Sequence, residues 1–270
     1  GALAGKTYGD GQFAVSATAS SNLEVGFSSD TTGTCTVGGS TATIVAAGPC
    51  TIRASQGGTA DFSAASEVTQ SFTIGQASQS ITFDSLGDKH FGDPDFDVSA
   101  TGGASGQPVT FTAAGSCTVD GDLVHLTGIG SCTITAHQAG DTNYSAAADV
   151  PQSFAVTDNT PPLTSVDSAP DNPTNSTSGT FTFSGTDDVT APGNLTFECG
   201  LDGVAFETCS SGVTYSALAA GDHTFRVRAK DGAGNVDATP ATFSWTIGPA
   251  PVCVAPPGGQ VVTPAKPPGI

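Results

Sequence analysis

Apolar side chains in this chain rarely come in runs. They alternate with serine and threonine over short stretches that stop at Gly, Pro, Asn or Asp. Alternation with period two sends successive side chains to opposite faces, so each stretch reads as a half-buried β-strand. In the first 75 residues the pattern predicts strands at 13–17, 23–28, 35–37, 41–46, 50–56 and 68–74. Further on, Cys132, Ile134 and Ala136 share one side of a strand, as do Cys117 and Val119. In "HTFRVRA" the residues Phe225, Val227 and Ala229 oppose Thr224, Arg226 and Arg228, and Phe243, Trp245 and Ile247 alternate in the last strand. Many short strands divided by turn residues predict an all-β chain of sandwich domains.

The pattern repeats. "KTYGD" at 6–10 returns as "KHFGD" at 89–93, and "FAVSATAS" at 13–20 as "FDVSATGG" at 96–103. "GPCTIRASQGGTADFSAA" at 48–65 returns as "GSCTITAHQAGDTNYSAA" at 130–147. Lys6 to Lys89 is 83 positions and Cys35 to Cys117 is 82, a period steady enough to predict tandem modules. Boundaries follow at 1–75, 76–157 and 163–248, with a short stiff linker at 157–164 and a proline-rich spacer at 249–270. The second copy opens with "SITF" at 80–83, and the first has only "GAL" before its "KTYGD". The first copy is therefore expected to lack an opening strand and to expose a sheet edge. A start inside a repeat, without Met, predicts a piece of a longer polypeptide. Tyr8 and Phe91 are expected to plug the core beside a turn, and Phe62 and Tyr144 to pack over one end of each sandwich.

Composition narrows the function. Acidic residues outnumber Lys and Arg by 25 to 7, for a net charge of −18, which repels nucleic acid and anionic lipid. No run approaches the ~20 apolar residues of a membrane span. Charged residues are only 12% of the chain, unlike a disordered polar segment. Of seven cysteines, Cys35 and Cys50 are 15 apart, Cys117 and Cys132 likewise, and Cys199 and Cys209 are 10 apart. One pair per domain, and no CxxC, predicts three structural disulfides and an oxidising, extracytoplasmic setting, extracellular or at a cell surface. Cys253 is left over, unpaired within these domains.

Catalytic signals are missing. His90, His125, His137 and His223 form no pair at metal-ligand spacing, and neither a GxSxG turn nor a phosphate loop occurs. Lys6, Lys89, Lys230 and Lys266 are too few to expect isopeptide staples. One metal candidate stands out. If "GDPDFD" is extended, alternation puts Asp93, Asp95 and Asp97 on one face, where hard oxygen ligands suit calcium at a domain joint. The first copy keeps only Asp10 of this set; Asp187, Asp188 and Asp231 offer a weaker case.

"KTYGD", "KHFGD", "QAGDTNYSAA", "QSFTI" and "QSFAV" make the first two units resemble the MBG-type, Ig-like "YGx" repeats of bacterial surface and secreted proteins. "FTFSGTDD", "FECGLDG", "HTFRVRAKDGAGNVD" and "FSWTI" make the third resemble a bacterial Ig-like module close in style to fibronectin type III. These resemblances imply β-sandwich stalks, arranged as an extended rod, and no catalytic residues. The expectation is a non-enzymatic stalk or fibre segment joined to other domains of its polypeptide, with self-assembly by strand addition as a sharper form. The rivals are an adhesive module that binds a glycan or host protein through its loops, and accessory domains of a secreted hydrolase.

Overall fold

The computed structural model describes residues 2–249. The proline-rich segment and Cys253 lie outside them. The chain divides into two compact units, Gly1–Asp158 and Asn159–Ile270.

The first unit holds both copies of the repeat. In the first copy the strands are β1 (Lys6–Thr7), β2 (Phe13–Ala14), β3 (Gly26–Ser29), β4 (Cys35–Gly38), β5 (Thr41–Ile44), β6 (Gly48–Ser55) and β7 (Val68–Gly75). They form two sheets, β1-β7-β6-β3 and β2-β5-β4. In the second copy β8 (Lys89–His90), β9 (Phe96–Asp97), β10 (Val109–Gly115), β11 (Cys117–Asp120), β12 (Leu123–Leu126), β13 (Gly130–Gln138) and β14 (Val150–Thr157) give the same two sheets, β10-β13-β14-β8 and β11-β12-β9. The long central hairpins follow from uninterrupted alternation: along β13, Cys132, Ile134, Ala136 and Gln138 are buried and the residues between them are not.

One short strand that the pattern does not announce closes each copy. The Lys-Thr of "KTYGD" pairs in parallel with the end of β7, Lys6 facing Ile74, and "KH" pairs in the same way with β14, Lys89 facing Val156. Each lysine then lies over the phenylalanine that opens the next strand, 5.0 Å from the Phe13 ring and 4.6 Å from the Phe96 ring. The turn after each is held by an aspartate: Asp10 accepts the Thr7 backbone N–H and Asp93 that of His90, both at 2.8 Å.

The two cores are built alike around their bridges. Ile52, Phe72 and Ile74 pack around Cys35 and Cys50 in the first copy, as Ile134, Phe154 and Val156 pack around Cys117 and Cys132 in the second. The second core also takes in Ile81 and Phe83 from the opening segment. That segment makes a single bridge, Thr82 with Thr101, in place of the expected strand at 80–83.

The second unit contains β15 (Leu163–Ser168), β16 (Gly179–Thr186), β17 (Thr196–Leu201), β18 (Glu207–Cys209), β19 (Val213–Tyr215), β20 (Gly221–Lys230) and β21 (Ala241–Ile247). Its sheets are β15-β16-β19 and β18-β17-β20-β21. Phe181 and Phe225 stack at 4.1 Å in the centre, with Trp245 beside them. The expected faces of β20 hold: Phe225, Val227 and Ala229 are fully buried, and Arg226 and Arg228 flank Phe206 on the outer side at 4.9 and 4.3 Å.

Candidate functional site

Cysteines first. Cys35–Cys50 joins β4 to β6 and Cys117–Cys132 joins β11 to β13, so both bridges tie the two facing sheets of a copy together, with Cα atoms 5.7 and 5.5 Å apart. Cys199–Cys209 instead links the neighbouring strands β17 and β18 of one sheet, at 5.8 Å. These spacings lie in the comfortable range for a disulfide. Four of the six bridged cysteines, Cys35, Cys50, Cys117 and Cys132, are at most 4% exposed, too enclosed for exchange chemistry. Such bridges persist in oxidising compartments. Among the described residues no helix is long and apolar enough to cross a membrane.

The acidic segment takes another form than expected. Extended backbone begins only at Phe96, because 90–93 is a turn closed by the Asp93 N–H on the His90 carbonyl. Asp93 is engaged with the His90 backbone, and Asp95 meets His125 Nδ1 at 2.7 Å across the sheet edge. The turn breaks the alternation that would have aligned Asp93, Asp95 and Asp97. They do not form a group whose oxygens all lie within 4.8 Å of one another. Asp231 is likewise occupied. Its carboxylate accepts the backbone N–H groups of Gly234 and Asn235 and the Asn235 side-chain amide, closing the "DGAGN" turn.

Histidines sit against carboxylates. His137 Nδ1 lies 2.7 Å from Asp149 and His223 Nδ1 2.7 Å from Asp202, while His223 Nε2 donates to the Ala219 carbonyl at 2.9 Å. The Ala219 carbonyl first, and then Asp202, raise the His223 pKa. Burial works against the charge on Asp202, but hydrogen bonds from His223 and from the Thr224 N–H outweigh it and hold this carboxyl below its ordinary range. Asp237 is held low in the same way: burial is outweighed by Thr164 and Thr239, whose backbone N–H groups donate at 2.9 and 2.8 Å. Each group braces a turn or strand end, and none faces a cleft with a nucleophile.

The most specific polar surface lies where the two copies meet. Asp141 Oδ1 accepts the N–H groups of Asn143 and Tyr144 at 2.7 and 2.8 Å, and the Asp141 N–H donates to the Tyr144 carbonyl at 2.9 Å. The loop is so tight that a Cβ on Gly140 would stand 2.2 Å from the Tyr144 carbonyl oxygen. Held in this way, Asn143 accepts the Ala47 N–H of the first copy at 3.0 Å, and the Asp141 carbonyl accepts Gln76 Nε2 at 2.6 Å. Tyr144 bridges to Ala77 and meets Tyr8 edge-on at 5.5 Å. The ring expected to cover its own sandwich thus docks on the neighbouring copy. Its counterpart Phe62 has no such neighbour and is 52% exposed, against the expectation of an end cap. The recurrence of an aromatic in this loop signalled a contact; only the fold shows that the contact crosses to the other copy.

No family model matches the chain, and no curated protein does. Among solved structures it is similar to mouse cadherin-23 EC22-24 at 18% identity, covering 90% of this chain and 91% of that one, with a TM-score of 0.36. The fibronectin(III)-like modules of Clostridium thermocellum CbhA match at 17% over 62% and 94%, with a TM-score of 0.28. The Escherichia coli adhesin FdeC matches at 16% over 89% and 86%, also at 0.28. The chain consists of all-β modules in tandem, each built of two sheets and holding one disulfide.

Proposed function

We propose that this chain is a non-enzymatic spacer segment of a secreted or cell-surface protein, its first two units being MBG-type repeats and its third a bacterial Ig-like module. The observation that carries this reading is the junction between the two copies. A loop that recurs in both copies is braced by Asp141 from within and spends Asn143 on the first module, whose Ala47 N–H it accepts. A catalytic or ligand-binding loop would turn those groups toward solvent. The "KTYGD" motif serves the same end, since its parallel strand seals each sandwich and its tyrosine receives the ring of the following module.

The test is whether the two copies tumble together. Residual dipolar couplings of residues 2–158 are expected to fit one alignment tensor, and Tyr144→Ala is expected to need two. Independent tensors in the unmodified protein would refute a spacer built on this junction. An adhesive role is a second reading, favoured by Phe62 and Val68, which are 52% and 56% exposed at one end of the first copy.

A further inference from the structure

Tyrosine is placed in the first two copies with a selectivity that packing alone does not require. Most of their recurring rings are phenylalanine both times: Phe13 and Phe96, Phe27 and Phe111, Phe72 and Phe154. Two recurring positions differ. One holds Tyr8 and then Phe91, and the other Phe62 and then Tyr144. Of these four rings, Tyr8 and Tyr144 meet edge-on across the junction, with centroids 5.5 Å apart and planes at 81°. Among the described residues neither Phe62 nor Phe91 pairs with another ring, and Phe62 is 52% exposed. The rings that meet carry hydroxyls; the rings that do not lack them.

Hydrogen bonding does not account for those hydroxyls. Among the described residues neither phenol has a hydrogen-bond partner, and both tyrosines are half-buried, within reach of solvent. The backbone behind each ring is fixed. The Tyr8 N–H donates to the Gly75 carbonyl at 2.8 Å, and the Tyr144 N–H to Asp141 Oδ1 at 2.8 Å. On either side of Tyr144, the Ala77 N–H donates to the Asn143 carbonyl and the Ser145 N–H to the Ala77 carbonyl. Two groups held in contact in this way react as if at very high concentration. Few other side chains compete for an oxidant. The chain has no Met, its single Trp is 1% exposed, and six of its seven cysteines are bridged. The third tyrosine, Tyr215, packs against Phe181 and Phe225 in another module.

We propose that Tyr8 and Tyr144 form a dityrosine site, joined by a carbon–carbon bond when a haem peroxidase fed with hydrogen peroxide oxidises them. Each phenol loses one electron to the oxidant and its proton to solvent. The two radicals couple through ring carbons next to the hydroxyl-bearing ones. Each coupled carbon then passes its hydrogen, as a proton, back to the phenolic oxygen, which restores the aromatic ring. One hydrogen peroxide takes up the two electrons and two protons and leaves as two waters. The bond makes covalent a junction otherwise held by packing and hydrogen bonds. This chemistry rests on the same junction as the spacer reading and adds a modification to it.

The experiment treats the full chain with hydrogen peroxide and a haem peroxidase. Cys253 is first capped with N-ethylmaleimide so that no thiol quenches the radicals. Dityrosine fluorescence is expected in a product of monomeric size, two hydrogens lighter than the capped chain. Peptide mapping is expected to find Tyr8 and Tyr144 in one cross-linked fragment, formed at a rate independent of protein concentration. Tyr8→Phe and Tyr144→Phe keep both rings in place, and each is expected to abolish that product. Adding Phe62→Tyr to Tyr144→Phe should not restore it, because position 62 meets no ring. Residual dipolar couplings of residues 2–158 are collected on the same sample before treatment. One alignment tensor without the cross-link overturns this proposal and leaves the spacer reading standing. Monomeric dityrosine that persists in Tyr8→Phe also overturns it, as does dityrosine found only in dimers.

Discussion

Both neighbours of the His223 ring are acceptors, a carboxylate at Nδ1 and a carbonyl at Nε2, so only the doubly protonated ring satisfies both. Its folded pKa is raised, so its contribution is fully present below the ordinary value of about 6.5 and is lost as pH rises through the raised value. Asp202 acts from the other side. Its folded pKa is lowered, so its contribution is present above about 3.9 and fades as pH falls through that lower value. The melting temperature of the third module is therefore expected to decline on the alkaline side of the His223 titration, and His223→Gln to flatten that limb. The chain's single tryptophan reports it, since Trp245 lies 5.3 Å from His223 in the same core. An alkaline limb unchanged in the variant would assign it elsewhere.

At the scale of elements, the inter-sheet disulfides dominate. Cores built from so few large side chains leave each module marginal, and closing a 15-residue loop contributes about 3 kcal/mol. Replacing Cys117 and Cys132 together by Ala is expected to lower unfolding free energy by about that amount, read from the urea midpoint. In the chain as given, the first copy should suffer more from loss of Cys35 and Cys50, because among the described residues its core has no counterpart of Ile81 and Phe83. Much of this was legible from residue order. Alternation located β5, β6, β7 and β13 to within a few residues, and matching cysteine positions gave the pairs. Other elements were not legible for identifiable reasons. The expected strand at 13–17 stops at Ala14, after which the Val15 N–H turns to Ser40. The parallel strands β1 and β8 are two residues long, too short for any period to show. The Asp93–Asp97 alternation failed because a turn, invisible to a count of every second residue, begins the segment.

At the scale of the molecule, a net charge of −18 spread over small modules favours separate chains in solution, so any association requires a specific surface. The junction at Tyr144 and the exposed ring of Phe62 belong to the same loop of their respective copies. They were not recoverable from pattern alone, because each depends on which copy stands beside which.

The first and last strands of each copy run side by side in the same direction. Tension applied through the two ends of such a pair slides one strand along the other, so its hydrogen bonds resist together instead of opening one by one. The cross-sheet sulfur bridge then sets how far a yielding module can lengthen, because the loop it closes, a sequence separation of 15, is withheld from the pulled chain. At about 3.5 Å per extended residue this hides roughly 50 Å in each copy. Single-molecule stretching should show that length appear when a reductant is added. The motif that seals the sandwich would then also be its clutch, holding under load and releasing only a measured amount of slack.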